Sequence, residues 1–400
     1  MLFEQTTLGD VSKGGKGNYG IAASAVDYSD ELYTYLRITD IKDDGTIDFG
    51  GLKSVNDGKA ANYLLQPNDI VFARTGASTG RNYFYDGSDG QFVYAGFLIK
   101  FSIDPDKVNP KYVKYYCLSQ EYKGWIASYN TGSTRGNINA QTLAQMPLLL
   151  PERMQQDKMV DILSSIDRKI KENEKINKNL LEQALAIYKD WFCDYALSDG
   201  TLPENWKITT IDAISSLVTR GIAPKYDDSS DQIVLNQKCI RDHTIDISLA
   251  RRHLPKKINE KWISKGDLLI NSTGTGTLGR VAQVWFEANN MTVDSHVTIV
   301  RPKDSILQRY IGFWGLSHES EIEAQHTGST GQTELPRDRV KAMELPLPDE
   351  DTLSKFNELV IPMTSTVISN QEENARLSQL RDALLPKLMS GELDVSDIDL

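Results

Sequence analysis

Two short stretches of this 400-residue chain carry the residue types that hold anionic oxygens. Asn68-Asp-Ile-Val-Phe-Ala-Arg-Thr-Gly-Ala-Ser-Thr-Gly-Arg81 reads as a strand running into a Gly/Ser/Thr loop that ends in arginine. Gly266-Asp-Leu-Leu-Ile-Asn-Ser-Thr-Gly-Thr-Gly-Thr-Leu-Gly-Arg280 repeats that plan. Hydroxyls and backbone N–H groups in such loops suit phosphate, and arginine suits phosphate or guanine. The candidates are Arg74, Thr75, Ser78, Thr79 and Arg81 in the first loop, and Asn271, Ser272, Thr273, Thr277 and Arg280 in the second. A plainer reading is that the glycines shape a tight turn needed for folding. Because the loop recurs, a structural or phosphate role is favoured over base reading. Ser133 and Arg135, within Thr131–Asn137, and Gln332, within Thr327–Gln332, share the ambiguity. If such loops hold a nucleic acid, base contacts belong where the two copies differ: Lys13–Tyr19 and Lys53–Asn62 in the first. In the second, the basic cluster of Arg251, Arg252, His253, Lys256, Lys257 and Lys261 stands out, and it could equally be a solvated face.

Catalytic patterns fail on context. Gly274-Thr-Gly-Thr-Leu-Gly279 fits a dinucleotide fingerprint, but Arg280-Val-Ala-Gln-Val-Trp-Phe reads as a strand, not the helix that would receive a pyrophosphate. Pro105-Asp106 with Glu121-Tyr-Lys123 imitates a nuclease metal motif, yet falls in a helical patch, and the second copy has Glu319 and Glu321 instead. The five histidines do not cluster at metal-ligand spacing, and Cys117, Cys193 and Cys239 are isolated and odd in number. No Asn/Asp-Pro-Pro-aromatic motif of a DNA methylase occurs. No catalytic residue, metal or cofactor is expected.

The elements that would position these loops are themselves duplicated. Alternating fours and threes from Met159 reach Leu163, Ile166, Ile170, Asn173, Asn177, Leu180, Ala184, Ile187 and Trp191, an apolar seam interrupted only by two asparagines. Adding 197 gives Phe356, Val360, Met363, Val367, Asn370, Asn374, Leu377, Arg381, Leu384 and Leu388, with asparagines at the same steps. The 3.5-residue period marks coiled-coil helices that can pair with each other. Antiparallel pairing that sets Met159 against Leu388 sets Asn173 against Asn374 and Asn177 against Asn370. Such a polar layer penalises other registers, though on a loose pair the asparagines could simply tolerate solvent. Pro362 is expected to kink or break the second helix, and Pro386 to mark its last turn. Outside the helices, Tyr112–Ser119 matches Tyr310–Ser317, Thr131-Gly-Ser-Thr134 matches Thr327-Gly-Ser-Thr330, and Met146–Pro151 matches Glu344–Pro348. The organisation is an α/β (α+β) chain of two similar domains, 1–150 and 196–348, alternating with helical segments 151–195 and 349–400.

Composition fits this plan. Hydrophobic content of 40% and charged content of 25% are those of a globular protein, no apolar run approaches a membrane span, and no signal segment precedes the first domain, so a cytoplasmic place is expected. The net charge of −11 is concentrated in residues 349–400, which hold eleven acids and four bases, leaving both domains near neutral and free to carry basic faces.

The arrangement resembles the DNA-specificity subunit of type I restriction–modification systems over nearly its full length. Asp69–Arg81 with Asp267–Arg280, the two Thr-Gly-Ser-Thr blocks and Leu384-Leu-Pro-Lys-Leu-Met-Ser-Gly-Glu-Leu393 carry the resemblance. It implies a non-catalytic subunit that brings two adenine methyltransferase subunits, and optionally two motor-nuclease subunits, to a split target in double-stranded DNA. On that reading each domain reads one half-site. Thirty-two helical residues at roughly 1.5 Å each span ~48 Å, or about 14 base pairs, enough to seat domains on grooves one turn apart. An adaptor whose paired domains bind protein is the alternative, separable by salt-dependent DNA binding.

Overall fold

The computed structural model describes residues 2–129, 137–254, 261–274, 276–328, 333–396 and 398. It divides into two units, Met1–Ile170 with Ala375–Leu400, and Lys171–Asn374.

The first unit is built on the strand Asp69–Ala73, whose five residues are all buried. Side chains alternate across a strand, so Ile70 and Phe72 enter one core while Val71 and Ala73 enter another. Its sheet runs in the order Asn18–Tyr19, Leu98–Ser102, Asp69–Ala73, Asn82–Tyr85. One core lies between this sheet and the helices Pro110–Tyr116 and Gln120–Ser128. The other faces a second sheet of Ala25–Val26, Lys53–Val55, Tyr33–Leu36 and Phe92–Tyr94, the last two parallel. Pro110 occupies the first turn of its helix, where its missing N–H costs nothing, and the Asn109 side chain accepts from Lys111 N–H at 3.0 Å.

The second unit repeats this order with Ser215–Arg220, Val297–Pro302, Leu268–Asn271 and Val281–Gln283. Leu268 and Ile270 face one core and Leu269 the other. Ile233–Leu235 and Met291–Val293 form the corresponding parallel pair. Tyr112 donates to the Leu149 carbonyl at 2.6 Å, and Tyr310 likewise to the Pro346 carbonyl. In each unit the helical patch therefore anchors the Pro-containing strand, Pro147–Leu150 or Glu344–Leu347, that leads into a long helix.

Those helices are Arg153–Phe192 and Glu350–Met389. Within the first unit, Met159 and Leu163 share a core with Leu385 and Leu388. Asp167 accepts from Lys114 and Tyr115 at 2.8 Å and pairs with Arg381 at 3.3 Å. Burial pushes the Asp167 carboxyl up, but Lys114, Tyr115 and Arg381 outweigh it and hold the group below the usual carboxylate range. The arginine that interrupts the seam is thus answered by an acid on the facing helix. Within the second unit, Ala184, Tyr188 and Phe192 pack with Leu353, Phe356 and Val360. Asn173 donates to Asn374 and Asn370 donates to Asn177, both at 2.8 Å. Asn173 also reaches a Glu373 carboxylate oxygen at 2.7 Å. Partner numbers fall along one helix as they rise along the other in both units, so the pairing is antiparallel.

The expectation of a break at Pro362 is corrected. The helix is continuous from Glu350 to Met389. The donor lost at Pro362 would have gone to the carbonyl of Glu358, an exposed residue. Among the described residues no helix is long and apolar enough to cross a membrane.

Candidate nucleic-acid interface

Both Gly/Ser/Thr loops are closed by the same backbone bonds. Ala73 donates to the Arg81 carbonyl at 2.8 Å and Gly80 donates back to Ala73 at 2.9 Å; Asn271 with Arg280 and Gly279 do the same at 2.9 Å. Gly80 and Gly279 have φ of +88° and +84°. A Cβ at Gly80 would meet the Ile126 side chain at 2.5 Å, and one at Gly279 would meet Glu323 Cβ at 2.7 Å. These glycines answer both a left-handed backbone and a close helix, which explains their recurrence.

The candidate side chains of these loops then separate. Ser78, Asn271 and Ser272 are buried. Asn271 donates to the Gln237 carbonyl at 3.0 Å, and the Ser272 hydroxyl shares a 2.6 Å bond with that of Thr298. Thr79 donates to the Gly76 carbonyl at 2.7 Å. Arg81 is paired with Asp43 at 2.6 Å and also donates to the Ile41 carbonyl. Arg74 lies with its guanidinium 5.1 Å from the centre of the Tyr19 ring. Thr273 is bonded to His296 Nδ1 at 2.7 Å. Thr75, Thr277 and Arg280 are half-buried in the same loops.

Of the second half's basic cluster, Arg251 stacks 3.4 Å over the Tyr226 ring, Arg252 donates to the Ser230 carbonyl, and Lys261 donates to the Gly221 carbonyl. Arg251 and Arg252 are exposed, Lys261 is half-buried and His253 is buried. Ser133, Arg135, Lys256, Lys257 and Gln332 lie outside the described residues.

Beside each loop the structure gathers residues from three further segments. In the first unit Gly20 donates to the Leu98 carbonyl, Arg74 to Phe97 and Ile138 to Arg74. In the second, Gly221 donates to Val297, Ser272 to His296 and Leu335 to Ser272. Thr75 bridges to Asn137 as Thr273 bridges to Glu334. A Cβ at Gly20 would sit 2.2 Å from the Ala95 carbonyl oxygen, and one at Gly221 would sit 2.0 Å from that of Val293. The backbones coincide bond for bond, while the side chains diverge. Tyr19, Arg74, Phe97 and Asn137 in one unit stand where Arg220, Ser272, His296 and Glu334 stand in the other.

Each tip has its own chemistry. Phe97 is 58% and Tyr19 42% exposed, and the Tyr19 hydroxyl accepts from Ala140 N–H at 3.1 Å. Arg220 is held by Glu334 at 2.6 Å and by the Leu335 carbonyl at 2.7 Å. His296 is exposed, and its backbone N–H donates to the buried Asp294 carboxylate at 2.9 Å. Burial pushes the Asp294 carboxyl up despite that bond. Sequence reasoning reached Tyr19 and Asn137 only as members of ranges, and missed Phe97, Arg220, His296 and Glu334. The offset between the halves is 201 at Gly20 and Gly221 but 199 at Phe97 and His296, so no single shift of the sequence pairs them.

The fold and part of the sequence are shared with known proteins. Residues 2–182 match the family described as type I restriction modification DNA specificity domain. The chain is 24% identical over 316 residues to the type I restriction enzyme MjaIX specificity subunit of Methanocaldococcus jannaschii, covering 74% of this chain and 72% of that protein. It is 22% identical over 405 residues to the HindI specificity subunit of Haemophilus influenzae, covering 83% and 88%. The crystal structure of a type I restriction–modification S subunit from M. genitalium has the same fold, with a TM-score of 0.57, 14% identity and 96% of each chain covered. By these matches the chain is similar to type I restriction–modification specificity subunits.

Proposed function

We propose that this chain is the sequence-reading subunit of a type I restriction–modification complex, with domain 1–150 reading one half of a split DNA target and domain 196–348 the other. The observation that carries this is the duplication. The same strand order and backbone bonds occur twice, with different side chains exposed at matching positions. A protein reading two unlike half-sites needs one frame and two chemistries. The chain contributes recognition, and methyl transfer and cleavage belong to partner subunits. The paired helices 151–195 and 349–400 act as the ruler between half-sites and as the docking surface for two methyltransferase subunits, with two motor-nuclease subunits where cleavage accompanies methylation.

The test is replacement of residues 1–150 with the corresponding domain of another specificity subunit, followed by mapping of methylated adenines. One half-site should change while the other half-site and the gap persist. A motif altered in both halves would refute one domain per half-site. Absence of salt-dependent DNA binding by the native chain would refute recognition itself.

A further inference from the structure

We propose that the two matching turn tips are the base-reading elements, with Phe97 the central contact for the first half-site and His296 for the second. This rests on the DNA-reading role argued above and assigns it to residues.

The turns Ala95–Leu98 and Asp294–Val297 are each closed by a backbone bond, Leu98 to Ala95 at 2.8 Å and Val297 to Asp294 at 3.2 Å. Each is tied to a parallel strand, through Ala95 to Leu36 at 3.0 Å and Asp294 to Leu235 at 2.8 Å. A side chain on so fixed a turn loses little freedom when it meets a ligand, which favours discrimination. Folding gives no reason for Phe97. A ring left more than half exposed contributes little burial, and the matching position in the second unit holds an imidazole on the same backbone. Flanking positions behave differently: Gly20 with Gly221, Thr75 with Thr273 and Arg81 with Arg280 are identical between the copies. These recur with the frame, whereas the exposed tip position holds Phe97 in one copy and His296 in the other.

The chemistry at each tip suits the major groove. Phe97 offers an apolar face for the thymine methyl group, which distinguishes thymine from every other base. Arg74, beside it over Tyr19, brings a cation to the same edge of the domain. His296 has Nδ1 engaged by Thr273, leaving Nε2 as the ring nitrogen for a base edge. Arg220 is already neutralised by Glu334, so the second tip reads by hydrogen bonding more than by charge.

The experiment uses the full chain with its methyltransferase partner and maps methylated adenines for wild type, Phe97→Ala, Phe97→Leu and His296→Ala. Duplex binding is measured across a salt series, with melting temperatures confirming that each variant folds. Phe97→Ala should relax one base position in the first half-site by about 5- to 150-fold in discrimination, with Phe97→Leu between it and wild type and the salt slope unchanged. His296→Ala should do the same in the second half-site only. An unchanged motif, or a uniform loss of affinity with a flatter salt slope, would overturn the assignment in favour of backbone contacts. Wild-type chain that shows no sequence preference would instead defeat the broader reading, so the two failures are distinct.

Discussion

Replacing Asn173, Asn177, Asn370 and Asn374 together by leucine should make the protein more stable and its register less certain. The layer's cross-helix bonds include Asn173 to Asn374 and Asn370 to Asn177, and one from Asn173 to the Glu373 carboxylate. Two neutral amide bonds are worth about 1 kcal/mol each and one to a charged group about 2 kcal/mol, so removal costs roughly 4 kcal/mol. Asn173 and Asn177 are 0% and 9% exposed, while Asn370 and Asn374 are half-buried. Leucine at the first two positions gains about 2 kcal/mol each and at the others about 1 kcal/mol each, roughly 6 kcal/mol in all. The net gain of about 2 kcal/mol should raise the melting temperature by roughly 4–8 °C in scanning calorimetry of the full chain. Neither single variant Asn173→Leu nor Asn374→Leu should predict the pair. Each leaves an amide facing an aliphatic chain, so the double should be about 1–3 kcal/mol better than their sum. The quadruple variant's methylated motif should show more than one gap length, because heptad-shifted registers no longer bury asparagine against leucine. A quadruple variant that melts below wild type with a single gap would refute the reasoning: the layer would then be a net source of stability rather than a register device.

Three other perturbations follow from the same structure. Asp167 is held below its usual range, so its stabilisation is present above the unfolded carboxylate value near pH 4 and is lost as pH falls through the folded value. Asp167→Asn should abolish that part of the acid sensitivity in urea midpoints measured from pH 2 to 6, and an unchanged profile would remove the ionic cluster from the account. A Cβ at residue 20 would lie 2.2 Å from a backbone oxygen that cannot yield, so Gly20→Ala should cost about 3 kcal/mol. Gly76→Ala has open space but φ of +76° and should cost only about 1 kcal/mol, and equal melting temperatures for the two would contradict the close-approach argument. Deleting one heptad from each long helix on the same side of the asparagine layer should shorten the gap in the methylated motif by roughly three base pairs.

The order of residues by itself determined the duplication, the long helices and the pairing of their asparagines. These depend on local periodicity and on a constant offset between repeats, and both survive in a linear string. The strand in each Gly/Ser/Thr motif was legible for a similar reason, since Ile70–Ala73 and Leu268–Ile270 are continuous apolar runs with a glycine-containing loop just after them. Tertiary structure alone decided which polar side chains face outward. Asn271 and Ser272 look like Thr273 in the sequence, yet strand neighbours enclose the first two. Arg81 reads as a free cation until a turn thirty-eight residues away brings Asp43 to it. Arg381 reads as a flaw in a seam until the facing helix presents Asp167. Phe97 and His296 become a matched pair only when strands from three parts of each half are hydrogen-bonded side by side. Long-range pairing is set by the summed burial of whole faces, not by any short motif, so these positions acquire their roles only in the folded chain.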